Sequence, residues 1–89
     1  MKYAVFFEER AEKDLAKINK PHQQLIANKI KQLADNFDSL ANNLKILKGK
    51  YDYYRLRVGD FRVIFHKDDA KIIITIIRIG HRKDIYKKS

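Results

Sequence analysis

The strongest constraint on this chain lies between Tyr53 and His66, where apolar and cationic residues alternate with a period of two. Tyr54, Leu56 and Val58 alternate with Tyr53, Arg55 and Arg57, and Phe61, Val63 and Phe65 alternate with Arg62, Ile64 and His66. Successive side chains of a strand point to opposite faces, so this pattern predicts a strand pair with a core face and a cationic face. Gly59-Asp60 between the two runs predicts a tight hairpin turn.

The net charge of +9 over 89 residues is unevenly placed. Residues 1–47 carry 8 basic and 6 acidic side chains, and residues 48–89 carry 12 and 5, so +7 of the total lies in the C-terminal part that contains the hairpin. Charge that serves only solubility has no reason to segregate. Segregation points to a polyanionic partner: nucleic acid, an acidic protein segment or an anionic membrane surface. The chain has no cysteine, which removes disulfides and thiolate-bound zinc. The opening MKYAVFFEE holds too short an apolar run for a signal-peptide core, and no stretch approaches a membrane span, so a cytoplasmic protein is expected. The length suits one small domain, residues 1–89.

In chain order, Lys2 to Phe7 predicts a first strand. Ala11, Leu15 and Ile18 then recur at helical spacing, with acidic residues early in the run. Asn19-Lys20-Pro21 breaks that helix and opens a second, whose stripe is Ile26, Ile30, Leu33 and Phe37. Residues 36–50 lose the periodicity and predict a connection draped over the core, with Leu40, Leu44 and Leu47 needing burial. Lys48-Gly49-Lys50 predicts a turn that brings cations to the head of the next strand. After the hairpin, Asp68-Asp69-Ala70 predicts a turn, and the β-branched run Lys71 to Ile79 a central strand buried on both faces. Gly80 is expected to end it, leaving a short basic tail. The sum is an α+β domain of order β-α-α-β-β-β, a helical hairpin on a mostly antiparallel four-stranded sheet.

That order, with Glu9-Arg10-Ala11, the hairpin YRLRVGDFRVIF (Tyr54 to Phe65) and IGHRKDIY (Ile79 to Tyr86), resembles the RelE/ParE toxin superfamily of type II toxin–antitoxin modules. The resemblance covers nearly the whole chain and implies a RelE-like, microbial-ribonuclease-type fold. It implies one of two activities. RelE-like toxins are ribosome-dependent endoribonucleases that cut messenger RNA without metal, whereas ParE-like toxins inhibit DNA gyrase by binding. In both, a cognate antitoxin masks the toxin. Carried over by position, the RelE pattern puts phosphate-binding cations at Arg55 and Arg57, a catalytic arginine at Arg62, a second at Arg82 and a tyrosine at Tyr86. The hairpin loop is shorter here, and Tyr86 follows Arg82 by four residues instead of six. Some RelE-like relatives use a histidine near this point, which makes His81 a competing acid–base candidate.

Cleavage by attack of the 2′-hydroxyl on the adjacent phosphate needs a base, cations for the charge gathering on phosphorus, and an acid for the leaving oxygen. Arginine suits the second task, because it stays charged and forks onto two phosphate oxygens. His81 and Tyr86 both suit proton transfer, and the sequence leaves the choice open. Lys48 and Arg78 complete the candidate substrate-binding set with Arg55 and Arg57. Each candidate has a plainer alternative: a solvated sheet face for the arginines, a turn residue for His81, an edge residue for Arg78, core packing for Tyr86. No His, Asp and Glu cluster has metal-ligand spacing and no glycine-rich phosphate loop occurs, so no cofactor is expected. The leading expectation is a ribosome-dependent mRNA-cleaving toxin; the alternatives are a DNA gyrase inhibitor and a catalytically silent binding remnant. The expected partners are a cognate antitoxin, the ribosome and mRNA.

Overall fold

The computed structural model describes residues 2–47, 49 and 52–85. Strand β1 (Ala4–Phe7) leads into helix α1 (Glu9–Ala16), which carries Glu9 and Glu12 in its first turn, where they complement the helix dipole. Asn19 caps helix α2 (Lys20–Asp35), its Oδ1 accepting from the His22 N–H at 3.2 Å. Pro21 sits in the first turn, where its missing N–H costs nothing. Gln23 of α2 reaches back and donates through Nε2 to the Leu15 and Ile18 carbonyls, at 2.9 and 2.8 Å. One side chain thereby ties the last turn of α1 and the link after it to the start of α2.

A 3-10 segment (Phe37–Asn43) leads to β2 (Leu44–Ile46), after which come β3 (Tyr53–Val58), β4 (Phe61–Asp68) and β5 (Ile73–His81). The sheet order is β1-β5-β4-β3-β2, parallel between β1 and β5 and antiparallel elsewhere. One face carries Leu56, Val58, Val63, Phe65, Ile74, Ile76 and Ile79, all buried against Ala11, Ile26, Ile30, Leu33 and Leu40. The opposite face carries the arginines of the hairpin, as the alternation predicts.

Three expectations need correction. The sheet has five strands rather than four, because Leu44–Ile46 pairs with Tyr54–Leu56 within what reads as a connection. Three residues are too few to display a period, and Ile46 lies 71% exposed at the edge. The last strand begins at Ile73, since Ile72 adopts φ 57° within the preceding turn, and it runs through Gly80 to His81. Nor is that strand buried on both faces: Ile74, Ile76 and Ile79 are buried, while Ile73, Thr75, Ile77 and Arg78 are half-buried. The buried positions change parity because Phe65 pairs with Ile76 but Ile64 pairs with Arg78, which leaves Ile77 as the extra residue of a bulge.

Candidate functional site

On the outer face the register sets Arg57 directly opposite Arg62, and Arg55 opposite both Ile64 of β4 and Lys45 of β2. These four cations, with Asn42, Asn43 and Leu44, line a groove of about 290 Å³ that no carboxylate among the described residues borders. Like charges placed directly opposite on a sheet destabilise it. The Arg57–Arg62 pair therefore costs stability in the free protein, and an anion between the two would remove that cost. Arg62 is anchored: its Nη1 donates to the Gly59 and Phe61 carbonyls, both at 2.9 Å, and neither bond engages Nη2. Asn43 Nδ2 donates to the Arg57 carbonyl at 3.3 Å and ties the groove wall to β3. Neither Arg57 nor Lys45 has an ion-pair partner among the described residues.

The segment after β5 comes to the same hairpin turn. The Arg82 N–H donates to the Asp60 carbonyl at 2.7 Å, and Arg82 Nε lies 3.7 Å from Asp60 Oδ1. Both side chains are exposed, so that ion pair contributes ~0–1 kcal/mol and leaves the guanidinium accessible. Arg62 and Arg82 thus both bond to one turn, Gly59-Asp60. His81 pairs with Phe61 across the strands, and the two rings stand edge to face at 5.7 Å. Its Nδ1 accepts from the Lys83 N–H at 3.1 Å, which assigns the neutral ring its hydrogen on Nε2. A base working through Nδ1 has to give up this bond.

Arg78 does not line the groove. Its Nε donates to Asp14 Oδ2 at 2.9 Å, and the same oxygen accepts from the Ile79 N–H at 3.0 Å. β1 ends opposite Ile76, so the backbone of β5 beyond that point lacks a strand neighbour on this side, and Asp14 supplies the acceptor. The tyrosines of the hairpin divide between the faces. Tyr54 stacks on Phe65 in the core at 5.4 Å, and Tyr53 lies against His66 at 4.8 Å on the arginine side. Lys48 and Tyr86, both expected in the site, lie outside the described residues. No group of three or more His, Cys, Asp or Glu among the described residues could hold a metal ion.

Residues 5–86 match the family described as the ParE toxin of type II toxin–antitoxin systems. The chain belongs to that family. Within the wider RelE/ParE superfamily, it is 34% identical over 88 residues to a RelE-like toxin protein of Escherichia coli, covering 97% of this chain and 92% of that one. Among solved structures it resembles a chain of the RelE–RelB complex of Pyrococcus horikoshii, with a TM-score of 0.80, 25% identity and coverage of 94% and 99% of the two chains. A chain of the RelB–RelE antitoxin–toxin complex of Methanococcus jannaschii superposes with a TM-score of 0.73 at 31% identity, covering 92% and 95%.

Within this toxin-family fold, several residues go unseen in sequence. Lys45 and Asn42 join the groove only through β2 and the 3-10 segment that precedes it. Asp14 is 64 residues from its arginine, beyond any local signal. Lys67 follows Val63 and Phe65 on the core face of β4, yet its Nζ lies 4.1 Å from the Phe37 ring centre, 5.5 Å from that of Tyr54 and 5.8 Å from that of Tyr3. It also pairs with Asp69 at 3.3 Å, and the Tyr3 hydroxyl donates to Asp69 at 2.6 Å. Burial works against the Lys67 charge, but Tyr54, Asp69 and Tyr3 outweigh it and raise the ammonium above its ordinary value. The Tyr3 hydroxyl holds Asp69 below the usual carboxylate range, and the same bond raises Tyr3. The cluster ties the start of β1 to the end of β4 and is remote in role from the groove. No helix among the described residues is long and apolar enough to cross a membrane.

Proposed function

We propose that this chain is the toxin of a toxin–antitoxin pair and acts as a ribosome-dependent endoribonuclease on messenger RNA. The observation that carries the reading is the carboxylate-free groove in which Arg57 faces Arg62, beside the turn that also receives Arg82. Arg57 and Arg62 are suited to grip the non-bridging oxygens of one phosphodiester, with Arg55 and Lys45 extending the grip along the strand. The 2′-oxygen forms a bond to phosphorus and the 5′-oxygen bond breaks, giving a 2′,3′-cyclic phosphate and a 5′-hydroxyl. A base takes the 2′-hydroxyl proton, an acid returns one to the 5′-oxygen, and the arginines hold the charge that collects between those events. Arg82 stands at the reacting phosphate, and His81 and Tyr86 compete for the proton transfers. Arg78, held by Asp14, supports the strand that carries this motif.

The partner that silences the groove is an antitoxin with an acidic or amphipathic segment laid across the arginine face. Support comes from the RelE–RelB complexes to which the fold is similar. Both partners belong in the cytoplasm, where translation runs. Adding the purified chain to a translation reaction should give cuts phased with the codons. An intact message at doses that arrest growth, together with blocked DNA gyrase supercoiling, would replace this reading with inhibition of gyrase.

A further inference from the structure

The groove continues past the cations that the hairpin supplies. Lys45 on the edge strand sits opposite Arg55, and Asn42 stands at the end of the 3-10 segment beside it. Both side chains are exposed, and neither has a hydrogen-bond or ion-pair partner among the described residues. Lys45 and Arg62 lie on strands two places apart, roughly 10 Å between backbones, too far for one phosphate to be shared without drawing both side chains inward. The groove of about 290 Å³ also holds more than one phosphate group. A carboxamide in such a place pairs a donor with an acceptor, the pattern that matches the amino group and ring nitrogen of adenine.

We infer that Asn42 and Lys45 form a second nucleotide subsite: Lys45 holds the phosphate next to the one between Arg57 and Arg62, and Asn42 reads the base between them, favouring adenine. The inference rests on the RNA reading of the groove and adds single-stranded RNA of at least two phosphates as the ligand. Bases in a single strand are open to such edge contacts. An acidic protein segment would meet the same cations and its peptide groups would pair with the carboxamide, but with no preference for one base over another.

The test uses the full chain and labelled 2′-O-methyl oligoribonucleotides, which cannot undergo 2′-attack, with affinity measured by fluorescence anisotropy across a fourfold rise in salt. Lys45→Gln should lower the salt slope by ~0.7, so that the wild type loses ~2.6-fold more affinity than the variant over that range. A mononucleotide carrying one phosphate should bind both proteins alike. Asn42→Ala should keep the wild-type slope and reduce the preference for adenine at one position by ~5-fold. An unchanged slope in Lys45→Gln, or an equal loss with the mononucleotide, overturns the subsite. So does a pair of variants that bind RNA normally and lose only antitoxin affinity, which would assign this edge to the protein partner. Arg57→Gln separates the two levels: if it too keeps the wild-type slope, the RNA reading of the groove fails; if it alone loses slope, only the subsite fails.

Discussion

Asp14 on the first helix holds Arg78 on the last strand, with 2.9 Å between Oδ2 and Nε. The same oxygen takes the Ile79 N–H, so one carboxylate closes the sheet edge where β1 stops. Asp14→Ala removes both bonds and leaves a half-buried guanidinium unpaired. The variant should lose ~2 kcal/mol in urea unfolding, in the range of hydrogen bonds to charged groups. RNA-binding salt slopes should stay at the wild-type value, because Arg78 does not line the groove; a fall in slope would show that Arg78 contacts RNA.

Replacing Arg57 or Arg62 should separate stability from function. Either change relieves the like-charge pair, so thermal unfolding should stay within ~0.5 kcal/mol of wild type. Cleavage in a translation reaction should fall by ~10²–10³-fold, the range for losing one donor to a developing oxyanion. A marked loss of stability with cleavage retained would make these arginines structural.

The choice between His81 and Tyr86 is open to single-turnover measurements. His81→Asn and Tyr86→Phe each remove a proton-transfer group with little change in shape. One of the two should lower the cleavage rate by ~10²–10⁴-fold and remove one limb of the pH–rate profile. If both variants keep full toxicity, catalysis is not the basis of the growth arrest.

The Lys67 cluster should shape stability at both ends of the pH scale. Asp69 titrates lower in the folded chain, so its contribution is complete above the unfolded value of ~3.9 and disappears as pH falls through the folded one. Lys67 and Tyr3 titrate higher when folded, so theirs are complete below ~10 and disappear as pH rises through the folded values. Asp69→Asn should flatten the acid limb of urea unfolding and move the alkaline limb to lower pH. Two unchanged limbs would remove the cluster from the stability of the fold.

The hairpin was legible because six paired positions on each strand repeat one alternation, and only a sheet sorts Arg55, Arg57 and Arg62 from Leu56, Val63 and Phe65. β2 was not, since Leu44-Lys45-Ile46 is shorter than the pattern it would have to show. The bulge at Ile77 was hidden by the isoleucines around it, which give the same hydropathy on either face of the sheet. Ile72 looked like strand for the same reason, although its backbone sits in the left-handed region that β-branched residues avoid. Lys67 lies just past the alternating run, and its place among three aromatic rings and a carboxylate rests on Tyr3, Phe37, Tyr54 and Asp69, contacts that no local pattern displays.

The parallel pairing of β1 with β5 also sets when this molecule becomes complete. Ala4 waits for Ile73, 69 positions later, before its strand has a neighbour. At translation speeds of ~5–20 residues per second that interval is roughly 3–14 s. The groove cations on β2, β3 and β4 emerge first, but His81 and Arg82 arrive with the strand that closes the sheet. Under the proposed function, the phosphate-gripping cations are therefore made before His81 and Arg82, and the site is whole only once β5 has joined the sheet and given β1 its neighbour.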